Sequence, residues 1–159
     1  MSLTYIGREN RFFVNNNGVK FDAGLAETKI TSQPTVENCA FVPYYDKWAK
    51  DTVPLLCIKF NQKAGKGKEE AVKVLTNVFL KDKSLGDSNI PCNVLITKDI
   101  PYNTNGKVNV YKVTSGQVEG KMYNVKMERD GDRIFSVWLE KVSKTEYGNS
   151  GYMKGNATL

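Results

Sequence analysis

The chain has 159 residues, with 23 Lys and Arg against 17 Asp and Glu, and it contains no His. This length suits one domain, and an apolar fraction of 40% with 11% aromatics can supply a hydrophobic core. The absence of His excludes His-dependent catalytic triads, HExxH zinc sites and an imidazole general base. Any chemistry must therefore use Lys, Arg, carboxylates or the backbone, and the net charge of +6 favours anionic partners such as phosphates, nucleotides or nucleic acid.

Three cysteines, Cys39, Cys57 and Cys92, are unequally spaced and form no CxxC pair. This pattern predicts neither a disulfide framework nor a structural zinc site, so we expect reduced thiols and no metal ligands. No apolar run reaches the length of a membrane span, and residues 1–5 lack the pattern of a signal peptide. We therefore expect a soluble, cytoplasmic protein with no membrane partner.

The first predicted element is a β-hairpin within residues 12–21, because Asn17-Gly18 separates two short β-type runs and both turn residues tolerate positive φ. Asp22 is placed to cap a helix that extends to about Ser32, with Leu25, Thr28 and Ile30 on its apolar face. Strands are predicted at about 37–44 and 53–61.

A second helix follows the run KAGKGK at 63–68, since five apolar residues there recur at helical spacing. These residues are Ala71, Val72, Leu75, Val78 and Phe79. The KAGKGK run admits two interpretations, a phosphate cradle at a helix N-terminus or a solvated connection, and it lacks the spacing of a Walker loop. A strand at 92–97 and a loop at 99–108 complete this part.

Beyond this loop, alternating residues predict strands at 109–113, 121–127 and 133–139, with Asp130-Gly131 as the turn of a hairpin. The polar residues from about 143 predict a flexible tail. The whole pattern predicts an α+β fold, a small sheet with two or three helices, plus a C-terminal β-hairpin extension. We divide the chain into a hinge and turn segment at 1–20, a domain at 21–113, the hairpin extension at 114–145 and a tail at 146–159.

Aromatic residues of the C-terminal half alternate with lysines and admit two interpretations. They could stack bases on a basic sheet, or they could be the packing residues of a half-buried hairpin. The aromatic residues are Tyr111, Tyr123, Phe135 and Trp138, and the lysines are Lys112, Lys121, Lys126 and Lys141.

The loop NTNGK at 103–107 can place a flexible ammonium next to a backbone of unusual geometry. Gly106 permits positive φ, and Lys107 can reach a phosphate or a carboxylate as a point charge. Taken alone, such a loop is also an ordinary turn.

Four pieces in order carry a family resemblance: YIGR at 5–8, NGVKF at 17–21 with Glu27, TVENCAFV at 35–42, and IPYNTNGKV at 100–108. The apolar strand VPLLCIKF at 53–60 lies where the family also has one. Together they resemble the C-terminal domain of AMP-forming acyl-CoA synthetases and related adenylate-forming ligases. The resemblance covers about two thirds of the chain, and the Asn-Gly-Lys end of its last piece is the most specific element.

The resemblance implies roles for individual residues. Lys107 matches the adenylation lysine, which contacts the acyl carboxylate and the ATP phosphate, with Gly106 beside it. Gly18 falls in the turn that lines the thiol channel after the small domain rotates, and Lys20 stands where an arginine is usual. Arg8 matches the arginine of the hinge, and Asn10 occupies the hinge position that is commonly Asp or Lys.

The resemblance implies a lid domain that, in the whole enzyme, works with ATP, Mg²⁺ and coenzyme A or a carrier-protein pantetheine. The family's phosphate loop belongs to an N-terminal adenylation domain, and nothing in this sequence resembles it. We therefore expect a fragment that is inactive alone and binds no cofactor tightly. Two alternatives stay open: a non-enzymatic basic module for nucleic acid or a protein partner, and a hairpin that serves oligomerisation or docking to the N-terminal domain.

Overall fold

The computed structural model describes residues 12–14, 20–46, 50–61, 67–82, 85 and 89–142. Strand β1 (Phe12–Val14) pairs antiparallel with β2 (Lys20–Asp22), with Val14 opposite Lys20. The two strands of the predicted N-terminal hairpin are therefore confirmed. Its turn at Asn17-Gly18 lies outside the described residues, as does the predicted tail.

Five further strands form one sheet in the order β3-β4-β5-β6-β7. Their bounds are Val36–Asp46, Asp51–Phe60, Asn93–Thr97, Gly120–Asp130 and Arg133–Lys141. All neighbours are antiparallel except β4 and β5, which are parallel. The predicted α+β class is confirmed, and so is the C-terminal hairpin, with Gly131 at φ +63° in its turn. Because β6 pairs with β5, the hairpin widens the same sheet that the preceding strands form.

Helix α1 (Ala23–Thr31) begins at the predicted cap, because the Asp22 side chain accepts a hydrogen bond from the Leu25 N–H at 3.1 Å. Its predicted apolar face is wrong at two of three positions, since Leu25 and Thr28 are exposed. The buried residues recur at i, i+3, i+4 and i+7, and one of them is charged. They are Ala23, Ala26, Glu27 and Ile30.

Helix α2 (Gly67–Leu75) continues into a π-helical turn at Thr76–Lys81. Of the predicted stripe, Ala71, Leu75, Val78 and Phe79 are buried, whereas Val72 is half-buried. No helix among the described residues is long and apolar enough to cross a bilayer.

Residues 109–113 were predicted to be a strand, and this prediction is wrong. Helix α3 (Val110–Thr114) forms there instead, with the Asn109 side chain accepting a hydrogen bond from the Lys112 N–H at 3.0 Å. Val110, Tyr111 and Val113 have high strand propensity, but the Asn109 cap and the burial of Val113 within one helical turn outweigh that preference.

The two faces of the five-stranded sheet carry separate hydrophobic clusters. On the helix-covered face, α1 and α2 pack on alternate strand residues such as Phe41, Leu56 and Val94. On the other face, a segment at 99–118 that contains α3 packs on the remaining residues, such as Leu55 and Leu95. We call this second side the segment-covered face.

Candidate functional site

The candidate site is the loop that carries Lys107, and it lies at one edge of the sheet. Strands β4 and β5 run parallel and end there, with β6 beginning opposite the end of β5. Strand β3 also begins at this edge, where Val36 pairs with Phe60. Residues 99–109 leave the end of β5 and turn back to reach α3. This boundary of the sheet is formed by the ends of its strands and not by an outer strand, and we call it the lysine-loop edge.

The loop is held in shape by its own hydrogen bonds. The Asn103 N–H donates to the Lys107 carbonyl at 2.7 Å, and the Gly106 N–H donates to the Asn103 carbonyl at 2.9 Å. The Lys107 N–H donates to Asn105 Oδ1 at 3.1 Å. Gly106 has a φ of +83°, a conformation that glycine adopts without the steric cost other residues meet. The Asn-Gly-Lys order therefore fits a tight turn in which Lys107 is exposed.

Both ends of the loop are anchored in the segment-covered face. Ile100 is buried before the loop and Val113 is fully buried after it. The Asn109 N–H donates to the Pro101 carbonyl at 2.8 Å, which closes the base of the loop. Since Asn109 also caps α3, one residue ties the loop to the helix that follows it.

The Lys107 side chain is exposed, and none of the described carboxylates pairs with it within 4.0 Å. An ammonium in this setting can meet an incoming anion without first breaking an ion pair. The residues present therefore fit a phosphate or carboxylate ligand at the tip of the loop.

Lys59, at the same edge, is already engaged. Its Nζ lies 2.7 Å from Glu37 Oε2 and 4.0 Å from Asp99 Oδ1. The hydrogen bond to Glu37 raises the pKa of the Lys59 ammonium; partial desolvation opposes this effect, and the charges of Glu37 and Asp99 reinforce it. Lys59 is thus a structural cation of this edge, in contrast with Lys107.

Lys20, the lysine that was predicted to bind a cofactor, lies at the opposite edge of the sheet. It belongs to β2, and β2 ends where the Asp22 N–H donates to Asn89 Oδ1 at 3.2 Å. The chain after Asn89 leads into the start of β5, and there the Cys92 N–H donates to the carbonyl of Pro54, near the start of β4, at 2.9 Å. The structure therefore does not bring Lys20 and Lys107 together. Gly18, Arg8 and Asn10 lie outside the described residues.

The two other predicted sites are only partly described. Of the KAGKGK run, Gly67 and Lys68 form the first turn of α2, and residues 62–66 lie outside the described part. In the aromatic set, Tyr123 is a core residue, whereas Tyr111, Phe135 and Trp138 are exposed. Next to Trp138, Glu140 accepts from the indole Nε1 at 3.4 Å and lies 4.0 Å from Lys126 Nζ, so an acidic residue stands within this surface.

Sequence reasoning did not assign a contact to Glu27 or Asn38. The buried Glu27 carboxylate accepts a hydrogen bond from the Phe41 N–H at 2.6 Å, which joins α1 to β3. The signal for Glu27 was its place in the i, i+3, i+4, i+7 pattern of α1. The Asn38 Nδ2 group donates a hydrogen bond to the Tyr102 hydroxyl of the lysine loop. The two residues are 64 positions apart in the sequence, and no local pattern predicts that contact.

None of the three cysteines forms a disulfide, and Cys39 and Cys57 are buried whereas Cys92 is exposed. Burial is the main cause that raises the pKa of the Cys57 thiol, followed by the charges of Cys39 and Glu27. Within the described ranges, no group of three or more Cys, Asp or Glu side chains is placed to hold a metal ion.

No protein-family model matches the sequence, and no curated protein matches it significantly. Solved structures do match the fold. The ATP-bound RpMatB-BxBclM chimera B1 is 18% identical with a TM-score of 0.52, over 64% of this chain and 19% of its own. A mutant of the amide bond synthetase McbA from Marinactinospora thermotolerans is 18% identical with a TM-score of 0.50, over 68% of this chain and 20% of its own.

A double mutant of o-succinylbenzoate CoA synthetase (MenE) from Bacillus subtilis, bound to its product analogue OSB-NCoA, is 15% identical with a TM-score of 0.50. The match covers 69% of this chain and 20% of that one. The chain thus spans about a fifth of the length of the structures it matches. At these identities the likeness establishes the fold. The chain has a fold that is also present in about a fifth of each of these synthetase structures, in agreement with the sequence resemblance to the C-terminal domain of AMP-forming ligases.

Proposed function

We propose that this chain is the C-terminal lid domain of an AMP-forming acid–thiol ligase, and that Lys107 is its adenylation lysine. The observation that carries the proposal is the geometry of the lysine loop. A self-bonded turn with Gly106 at positive φ presents an exposed ammonium that is free of described carboxylates. In a ligase of this fold, the anionic groups that the ammonium would contact are the ATP phosphate and the acyl carboxylate.

The proposed chemistry needs one positive charge at the right place. A carboxylate oxygen of the acid attacks the α-phosphorus of ATP, and the bond from that phosphorus to the pyrophosphate oxygen breaks. Negative charge develops on the phosphate oxygens as this happens, and Lys107 Nζ offsets it. Lys107 acts only as a positive charge and transfers no proton. Mg²⁺, when bound, would neutralise charge on the same phosphates.

Thioester formation would use the opposite edge of the sheet. Lys20 and the hairpin β1–β2 lie at that edge, away from the lysine loop. A lid that rotates between the two half-reactions can therefore present a different edge in each. We propose that Gly18 and Lys20 serve the thiol channel, that Gly106 serves the nucleotide side, and that Arg8 and Asn10 belong to the hinge.

The remaining components come from outside the described residues. We propose an N-terminal adenylation domain as the partner, with coenzyme A or a carrier-protein pantetheine as acceptor. On this proposal the lid supplies a charge and a channel wall, while the acid and the nucleotide base are held elsewhere. The chain alone would then form no adenylate.

A domain exchange tests the proposal. This chain replaces the matched segment of the MenE ligase, and two half-reactions are measured: pyrophosphate release with o-succinylbenzoate and ATP, and thioester formation from preformed adenylate and coenzyme A. We expect the chimera to catalyse adenylation. Lys107→Ala should lower the adenylation rate by about 10²-fold or more, the scale for removing one group that stabilises transition-state charge.

Lys73→Ala is the matched control, because Lys73 is an exposed lysine of α2 and its loss changes the net charge equally. We expect this variant to keep both rates. A folded chimera that forms no adenylate, or an equal loss of both half-reactions in Lys107→Ala, would contradict the proposal.

The alternative of a nucleic-acid module has less support. The exposed aromatics Phe135 and Trp138 could stack bases, but Glu140 sits between Trp138 and Lys126 and offsets the local positive charge. A steep loss of oligonucleotide affinity with added salt would favour this alternative.

A further inference from the structure

We infer that Asn38 and Tyr102 are a positioning pair that sets the direction of the lysine loop relative to the sheet. The Asn38 Nδ2 group donates a hydrogen bond to the Tyr102 hydroxyl. Tyr102 lies just before the turn that carries Lys107, and its backbone bridges to Val108 across the loop. The inference rests on the proposed adenylation role of Lys107.

Asn38 has a defined position because its backbone pairs with β4 and its side chain is hydrogen-bonded to the next residue of β3. Strand β3 has a bulge at its start, where Val36 pairs with Phe60 and Asn38 pairs with Lys59, so Glu37 is the extra residue. Asn38 then faces the same side as Ala40, the segment-covered face. Its Oδ1 accepts from the Cys39 N–H at 2.9 Å, which orients the amide so that Nδ2 points to the loop.

The Tyr102 hydroxyl, and not packing of its ring, makes the contact with Asn38. The Tyr102 side chain is 46% exposed, so packing covers only part of the ring and does not fix its position alone. The hydrogen bonds within the loop fix its internal shape, and the anchors at Ile100 and Val113 fix its two ends. The Asn38–Tyr102 bond adds a lateral tether between those ends.

The expected effect is modest and confined to one half-reaction. A net hydrogen bond contributes about 0.5–1.5 kcal/mol, which corresponds to about a twofold to thirteenfold change in a rate or an equilibrium. Since the tether aims Lys107 rather than binding substrate, we expect the loss in kcat for adenylation, with the KM values nearly unchanged. Thioester formation from preformed adenylate should keep its rate.

The test uses the MenE chimera with Tyr102→Phe, which removes only the hydroxyl, and Asn38→Leu, which removes the amide at similar size. Each single change should lower the adenylation kcat by about threefold to tenfold, and the double change should lower it no further. Asn38→Asp should restore activity, because its carboxylate can accept from the Tyr102 O–H. Full activity of Tyr102→Phe, or losses that multiply in the double variant, would overturn the inference.

A second measurement separates this inference from the proposed function. In the full chain alone, Tyr102→Phe should speed hydrogen exchange at the Gly106 and Lys107 amides, while the exchange of core amides in β4 stays the same. Faster exchange with unchanged adenylation in Lys107→Ala would overturn the ligase role and keep the tether. Unchanged exchange at these loop amides would overturn the tether itself.

Discussion

The helix-covered face and the segment-covered face of the five-stranded sheet carry hydrophobic clusters of different size. Among the described residues, the helix-covered cluster has more than twice as many buried members as the other. One face is closed by α1, α2 and the π-helical turn, and the other by a loop segment with a single turn of helix. The difference teaches that stability rests mainly on the helix-covered face, while the thinner cover carries the candidate site.

The largest expected effect compares two adjacent leucines of β4. Leu56 belongs to the helix-covered cluster and Leu55 to the segment-covered one, and both are fully buried. Leu→Ala changes cost about 2–5 kcal/mol of unfolding free energy, with the larger losses where the cavity cannot collapse. We expect Leu56→Ala near the upper end and Leu55→Ala near the lower end, because helices relax less than a loop segment. Urea unfolding of both variants measures this difference, and an equal or reversed order would break the comparison.

An intermediate effect concerns alkaline pH. Burial raises the pKa of the Cys57 thiol above its ordinary value of 9.0, and Cys57 lies under the segment. A raised folded-state pKa means that the stability contribution is complete below pH 9 and is lost above it, where the unfolded thiol ionises. Because of Cys57, the free energy of unfolding should therefore fall by about 1 kcal/mol between pH 9 and pH 10.

The measurement is the free energy of unfolding at pH 8, 9 and 10. Cys57→Ala should reduce this fall by about 1 kcal/mol, the part that Cys57 contributes, and Cys92→Ala, which removes an exposed thiol, should not reduce it. A flat profile in the unmodified chain would mean that the segment admits solvent and does not bury Cys57 in solution.

The smallest expected effect compares the two helix caps. Asp22 caps α1 on the helix-covered face, and Asn109 caps α3 on the other. Each change to Ala should cost about 1 kcal/mol of unfolding free energy, as is usual for N-caps. Only Asn109→Ala should also speed amide exchange in the lysine loop, because loss of the side-chain cap loosens the start of α3, and the base of the loop is closed by the backbone of that same residue. Equal exchange effects from both variants would show that the two faces are not independent.

Much of the fold follows from local patterns. The Asp22 cap, the Asp130-Gly131 turn and the alternation in the later strands all predicted elements that are present. These signals succeed because each depends on a backbone requirement that one or two residues satisfy. Glycine at positive φ and a carboxylate at a helix start act without help from distant parts of the chain.

The errors occurred where distant contacts outweigh local preference. The alternation at 109–113 favours a strand, but Val113 is buried against the segment-covered face as part of a helical turn. The face of α1 was misjudged because Glu27, a charged residue, occupies a core position. Its carboxylate is satisfied by the Phe41 N–H of β3, a partner that helix periodicity does not reveal.

The sequence by itself determined the class of fold, the absence of His chemistry and the loop in which Gly106 and Lys107 stand together. The tertiary structure decided that Lys107 is exposed at one edge of the sheet, that Lys20 lies at the other, and that Asn38 reaches Tyr102. The physical reason is the sequence separation over which each interaction acts. Turns and caps are satisfied within a few residues, whereas the edge at which a side chain lies depends on strand order and on the parallel pairing of β4 with β5.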